Sequence, residues 1–156
     1  MKRLAPLLLL LPALLGTPVA RAATTTQPVQ TEWHRYHYDV AHSGYGATIK
    51  PPGPLKTAWS RKLDAAVYAS PLVAEGTVVV ATENNSLFGF TRAGKLLWAH
   101  HDYAPAPLSS LPCGDIDPLG ITGTPVYDLA THRVYAVVVT PNGTTLRHWL
   151  IGVNVF

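Results

Sequence analysis

One cysteine, one methionine and a 13% share of charged residues are all that 156 residues contain of these types. A single thiol, Cys113, cannot close an intrachain disulfide, so no disulfide framework holds this fold. Cys113 is either a free or buried thiol, or its partner lies on another chain or in further sequence. Long apolar runs are scarce too: Leu4 to Leu15 is interrupted by Pro6 and Pro12, and it is shorter than the roughly 18 residues that span a bilayer as a helix. Gly-x-Ser-x-Gly, His-Glu-x-x-His and a glycine-rich phosphate loop after a strand are all missing, which removes the motif-based case for a serine hydrolase, a zinc protease or a nucleotide-binding enzyme.

The short apolar run has a different use. Lys2 and Arg3 precede it and Ala20-Arg21-Ala22 follows it, the charged start, apolar centre and small-residue cleavage site of a secretion signal. Residues 1–22 are therefore expected to be removed between Ala22 and Ala23, giving a secreted or periplasmic protein of 134 residues. Ala23 stands where a lipoprotein carries its acceptor cysteine, so the expected product is not lipid-anchored. Lys2, Arg3 and Arg21 leave with the signal, and the remainder has nine residues of each charge sign. Without a basic excess there is no field to gather phosphates, which argues against nucleic acid as a partner and disfavours an anionic membrane surface.

What is present is β-forming. Gly and Pro interrupt every helical candidate, while Val, Tyr, Thr and Trp recur in short runs. After a polar, Thr-rich leader over 23–32, the domain is expected over 33–156. Pro51-Pro52-Gly53-Pro54 breaks the chain, and Leu55 to Leu63 alternates loosely around Trp59. Strands are then predicted over Val67 to Ala74, Thr77 to Thr82, Ser86 to Thr91 and Lys95 to His100, joined by turns at Glu75-Gly76, Glu83-Asn84-Asn85 and Ala93-Gly94. These four make an antiparallel meander.

The meander repeats. Ser70-Pro71-Leu72-Val73 is echoed by Thr124-Pro125-Val126-Tyr127, Val78-Val79-Val80-Ala81 by Val134-Tyr135-Ala136-Val137, and Leu87-Phe88-Gly89-Phe90 by Leu150-Ile151-Gly152-Val153. A recurring four-stranded meander is the unit of a β-propeller, whose ring closes with roughly 4–8 blades. The sequence supplies about two, the second ending at Phe156 before its fourth strand. The expected fold class is all-β: four-stranded antiparallel blades in an incomplete ring.

Gly76 to Thr82, Ser86 to Phe90 and Ala93-Gly94-Lys95-Leu96-Leu97-Trp98 resemble the pyrroloquinoline quinone (PQQ) repeat of quinoprotein-like propellers. Gly94 stands at the repeat's turn glycine and Trp98 at its inter-blade tryptophan; Phe88 and Phe90 replace the usual Tyr and Leu, and Thr91-Arg92 replaces the common Asp. Trp33 to Asp39 with Gly44, and Leu111 to Val126, are similar to the opening segments of secreted bacterial PQQ-binding-like β-propeller repeat proteins. The resemblance covers Trp33 to Phe156 and implies that the sequence is an N-terminal fragment, with the remaining blades, and a partner for Cys113, on missing sequence. PQQ held with calcium is the cofactor that the resemblance allows, but the adjacent-cysteine pair of the quinoprotein alcohol dehydrogenases has no counterpart here.

Candidate site chemistry is thin. Asp115 and Asp117 alternate in a Pro- and Gly-flanked loop and are weak candidates for a hard cation, with turn-fixing hydrogen bonds as the competing role. His34, His37, His42, His100 and His101 fall in no zinc spacing. Trp33, Tyr36, Tyr38 and Tyr45 are expected to pack the first segment against the ring. No catalytic residue is assigned. The expected function is an exported, non-catalytic scaffold that binds a protein or small molecule; the alternatives are a remnant of a PQQ-dependent dehydrogenase and a scaffold for cell-envelope assembly.

Overall fold

A computed structural model describes residues 32–50 and 53–156. The expected signal with its Ala22/Ala23 cleavage site, nearly all of the expected 23–32 leader and the Pro51-Pro52 pair lie outside the described residues.

Seven strands follow in order: β1 (Leu72–Ala74), β2 (Thr77–Ala81), β3 (Leu87–Thr91), β4 (Leu96–His100), β5 (Val126–Asp128), β6 (Arg133–Asn142) and β7 (Thr145–Asn154), with one 3-10 turn at Leu108–Ser110. They form two antiparallel sheets, β1-β2-β3-β4 and β5-β6-β7. The fold is all-β and consists of partial propeller blades that do not close into a ring. No helix of the described residues is long and apolar enough to cross a membrane.

Local chemistry sets the first sheet. Glu75 and Gly76 both have positive φ (48° and 77°), the twist that a two-residue hairpin requires, and they place Ala74 opposite Thr77. In β2, buried Thr77, Val79 and Ala81 alternate with half-buried Val78 and Val80, the period-2 pattern of a strand with one face on the core. Leu72, Val79, Leu87, Tyr127, Val134 and Val138 are each no more than 1% exposed and belong to a single cluster that draws on both sheets. Each such side chain contributes roughly 1.5–3 kcal/mol on burial, so the blades stabilise one another across their shared face.

Three details depart from expectation. The first strand is shorter: only Leu72–Ala74 pairs, because Ser70 donates its N–H to the Thr124 side chain (3.0 Å) while Val67 and Tyr68 lie exposed. The β6–β7 hairpin is longer, pairing over ten residues through Asn142 opposite Thr145; Gly143, at φ +63°, closes a tight turn beyond Pro141. Finally, Leu55 to Leu63 joins no ladder.

Candidate functional site

Three clusters occupy the seams of the two blades, and the first is built on tryptophan. Trp98, on β4, lies across from Gly89 of β3. A Cβ at Gly89 would come within 2.6 Å of the indole ring, so the missing side chain is what lets the ring lie against the strand. From there the Trp98 Nε1–H donates to the Val155 carbonyl of the second blade (3.0 Å). Trp59 repeats the device one unit earlier: its Nε1–H donates to the Arg92 carbonyl (2.8 Å), its ring occupies the space a Gly94 side chain would need, and Arg61 Nε donates to the Gly94 carbonyl (2.9 Å). Gly94 thus sits at a turn and Trp98 at the seam between the sheets. Trp98→Ala is expected to cost about 2–4 kcal/mol, below the full large-to-small core penalty because the ring is only partly buried, and Trp98→Phe roughly half of that; thermal melts of both variants check this.

The second cluster is the Thr82–Ser86 turn. Glu83 is 1% exposed, and its Oε2 accepts from Gly120 N (2.7 Å) and Thr122 Oγ1 (3.0 Å), anchoring the inter-blade loop. Asn85, at φ 57°, donates to the Val139 carbonyl (2.7 Å) and accepts from Val139 N (3.2 Å). Beside them, Asp64 accepts from Thr82 Oγ1, Asn84 Nδ2 and Ser86 Oγ (2.8, 2.9 and 2.5 Å), and Ser86 Oγ also lies 3.0 Å from His101 Nδ1. This brings an Asp, a Ser and a His together, but in the wrong order for a nucleophile: the serine stands in the middle, is 1% exposed, and gives its proton to the carboxylate rather than to the imidazole. The trio is a turn brace.

At the third cluster the N-terminal segment crosses the inner strands. Val73 N donates to the Trp33 carbonyl and Tyr127 N to the His34 carbonyl (both 2.8 Å), so two consecutive residues bridge β1 and β5. Glu32 accepts from the Glu75 and Gly76 amides (2.5 and 3.0 Å) and pairs with Arg92 (2.6 Å). Tyr127 Oη donates to Glu75 (2.5 Å), which also pairs with His132 (2.8 Å). Between this segment and the first blade opens a cleft of about 430 Å³ lined by Trp33, Ile49, Trp59, Val73 and Val78 together with Glu32 and Arg92. Mostly apolar walls with a few polar groups suit an apolar or aromatic side chain.

The titratable groups report the same bracing. Burial works to raise the carboxyls of Asp64 and Glu32, but hydrogen bonds from Asn84, Ser86 and Thr82 to the former, and from Gly76, Arg92 and Glu75 to the latter, hold both below their ordinary values. Glu75 is held low chiefly by the Tyr127 hydroxyl, and burial followed by that same bond pushes the Tyr127 phenol up. Carboxyls held low in the fold stay ionised where the unfolded chain takes up protons, near pH 4. Their contribution is thus complete above the unfolded values and is lost as pH falls through the folded ones. The melting temperature is expected to fall steadily below about pH 5, and Asp64→Asn to flatten that fall; melts between pH 3 and 7 check both.

The residues singled out in sequence fare differently. Asp117 Oδ1 accepts from Leu108 N (3.0 Å), a turn-fixing bond, and Asp115 is exposed. Cys113 is an exposed free thiol. No group of three or more His, Cys, Asp or Glu capable of holding a metal ion is gathered among the described residues. Tyr38 is buried and tilts against Trp33 (5.2 Å between centroids), whereas Tyr36 and Tyr45 are exposed. Glu83, Asn85, Asp64 and Ser86 were not singled out; the one trace of Glu83, Asn85 and Ser86 in sequence is a polar run that directly follows a strand of buried alternation, and Asp64 leaves none.

A comparison with curated proteins returns no match. A family model described as outer membrane protein assembly factor BamB, of the PQQ-like repeat type, matches residues 55–140, a span holding Trp59, Asn85, Gly94 and Trp98. With more than half of the chain so matched, the chain belongs to this family of PQQ-like propeller repeats.

Proposed function

We propose that this chain is an exported propeller scaffold without catalysis, which binds protein in the cell envelope. The observation that carries it is the family match, whose description names an outer membrane protein assembly factor. The location rests on the signal pattern of residues 1–22. The use of the polar groups supports the same reading: Asp64, Ser86, Glu83, Glu32 and Glu75 all bond turns and seams, which leaves the apolar cleft as the place for recognition. An extended peptide segment with an apolar anchor fits it.

The dehydrogenase alternative requires PQQ and calcium, and the described residues do not fit them. Asp115 and Asp117 meet no third donor, and the sole thiol, Cys113, cannot form an adjacent disulfide. Two measurements test the proposal. A peptide of alternating apolar residues is expected to shift the tryptophan fluorescence saturably, and Trp33→Ala to weaken this at least several-fold; no saturable shift counts against the scaffold reading. Adding PQQ and calcium with a redox dye is expected to give neither a saturable absorbance change nor dye reduction, and dye reduction would overturn it.

A further inference from the structure

The tip of the β6–β7 hairpin holds two residues that none of the seams uses. Asn142 and Gly143 are both exposed there, with Asn142 opposite Thr145 and only Gly143 and Thr144 between them. Gly143 has a φ of +63° and Thr144 does not enter the left-handed region, the φ signs of a II′ turn with glycine at its first central position. Among the described residues the Gly143 N–H makes no backbone hydrogen bond. A side-chain amide is thus followed directly by a free backbone nitrogen with no side chain to shield it.

The amide is also polarised. Arg147 donates from Nη2 to Asn142 Oδ1 (3.3 Å), and its guanidinium is seated over the Trp149 ring, 5.3 Å from the centroid. Trp149 is fixed in turn by its Nε1–H on Thr140 Oγ1 (3.3 Å). Asn142 Nδ2 donates to Thr145 Oγ1 (3.3 Å), whose own proton goes to the Asn142 carbonyl (2.9 Å). A cation on the amide oxygen draws electron density from Cγ and stabilises the negative charge that gathers on that oxygen when Cγ is attacked.

We propose that Asn142 is a self-modification site, where the turn converts the side-chain amide to a carboxylate and Arg147 supplies the charge that assists it. The Gly143 nitrogen gives up its proton to water and forms a bond to Asn142 Cγ. The Cγ–Nδ2 bond breaks, the departing nitrogen takes a proton from water, and ammonia leaves a succinimide ring behind. Water then opens the ring at either carbonyl carbon. Opening at Cγ gives aspartate in an ordinary chain, whereas opening at the backbone carbonyl gives isoaspartate, with the chain routed through Cγ. Water is the only co-reactant, and nothing is oxidised or reduced. In the aspartate product the neutral contact with Arg147 becomes an ion pair.

The other asparagines supply the contrast. Asn84, Asn85 and Asn154 are followed by Asn, Ser and Val, whose side chains crowd the nitrogen that would attack. Asn85 is 2% exposed and has both ends of its amide on Val139, and Asn84 Nδ2 is held by Asp64 (2.9 Å). Asn142 alone is followed by glycine. Every group involved lies within one hairpin, so nothing in the reaction depends on the scaffold reading.

Peptide mass spectrometry on the purified chain, incubated at neutral pH over days to weeks, tests this. Aspartate and isoaspartate are expected to accumulate at position 142 at least several-fold faster than at Asn84, Asn85 or Asn154. The rate is expected to climb from neutral to mildly alkaline pH, because the attacking nitrogen must lose its proton. Gly143→Ala is expected to slow the conversion at least several-fold. Arg147→Gln is expected to slow it as well, with Arg147→Lys keeping more of the rate, and thermal melts check that each variant keeps the fold. An Asn142 that stays an amide, or that converts no faster than the other asparagines, would overturn the proposal. A rate unchanged or raised in Arg147→Gln would take the guanidinium out of the reaction and overturn it equally.

Discussion

Gly120→Ala is expected to lower stability by about 3–5 kcal/mol, from overpacking and a broken buried hydrogen bond together. A Cβ at this position would point into the backbone of the Thr82–Ser86 turn, 2.6 Å from Glu83 C, 2.8 Å from Asn85 N and closer still to the Glu83 carbonyl oxygen. These are main-chain atoms held by their own hydrogen bonds, so no side chain can swing aside to make room. Relief requires the Gly120 loop to retreat, and retreat breaks Gly120 N to Glu83 Oε2 (2.7 Å) and pulls on Ile121 N to the Thr82 carbonyl (3.3 Å). Ile121, fully buried in the shared core, moves with it. Against a total of about 5–15 kcal/mol for a domain, the loss removes from roughly a fifth to all of the stability. Urea titration at 25 °C reads the change directly. Gly123→Ala, three residues away with no atom within 4 Å of its added methyl, is expected to leave the midpoint within error.

That contrast marks what the sequence could show. The first blade was legible because its information is local: Glu75-Gly76 and Ala93-Gly94 announce turns, and the alternation in Thr77–Ala81 announces a strand with one buried face. Gly94 and Trp98 were legible as repeat positions. Their partners were not, because Val155 and the Trp59 ring lie 57 and 35 residues away and a side chain bonded to a distant carbonyl leaves no periodic trace. Glu83 read as an ordinary polar turn residue, yet it is buried against Gly120. Leu55 to Leu63 alternates loosely around Trp59 but joins no ladder, since alternation alone does not supply a neighbouring strand. The β6–β7 hairpin reaches well beyond the repeat echoes at Val134–Val137 and Leu150–Val153, with pairing that continues through Pro141 opposite Leu146.

Asn85→Ala is the second change of large expected effect, about 3–5 kcal/mol, since it strands two buried backbone groups at once. β5 pairs with β6 only from Arg133 to Tyr135, so the inner edge of β6 further along has no strand beside it. The Asn85 amide takes that place, giving Nδ2–H to the Val139 carbonyl and accepting Val139 N at Oδ1, the two bonds a strand residue would make. Its φ of 57° suits asparagine better than alanine, which adds to the cost. Asn85→Asp separates these contributions. An aspartate keeps the acceptor for Val139 N but turns a second carboxylate oxygen toward the Val139 carbonyl, so the charged form is disfavoured in the fold and its carboxyl is raised above the unfolded value. The sign is then opposite to that of Asp64 and Glu32: the penalty is full at neutral pH and shrinks as pH falls and the oxygen regains a proton to donate. Relative to the parent, the Asn85→Asp variant is expected to recover most of its lost stability between pH 7 and pH 4, whereas Asn85→Ala recovers none. A difference between variant and parent that stays constant across that range would mean the amide is filling space at the seam and not completing the edge of β6.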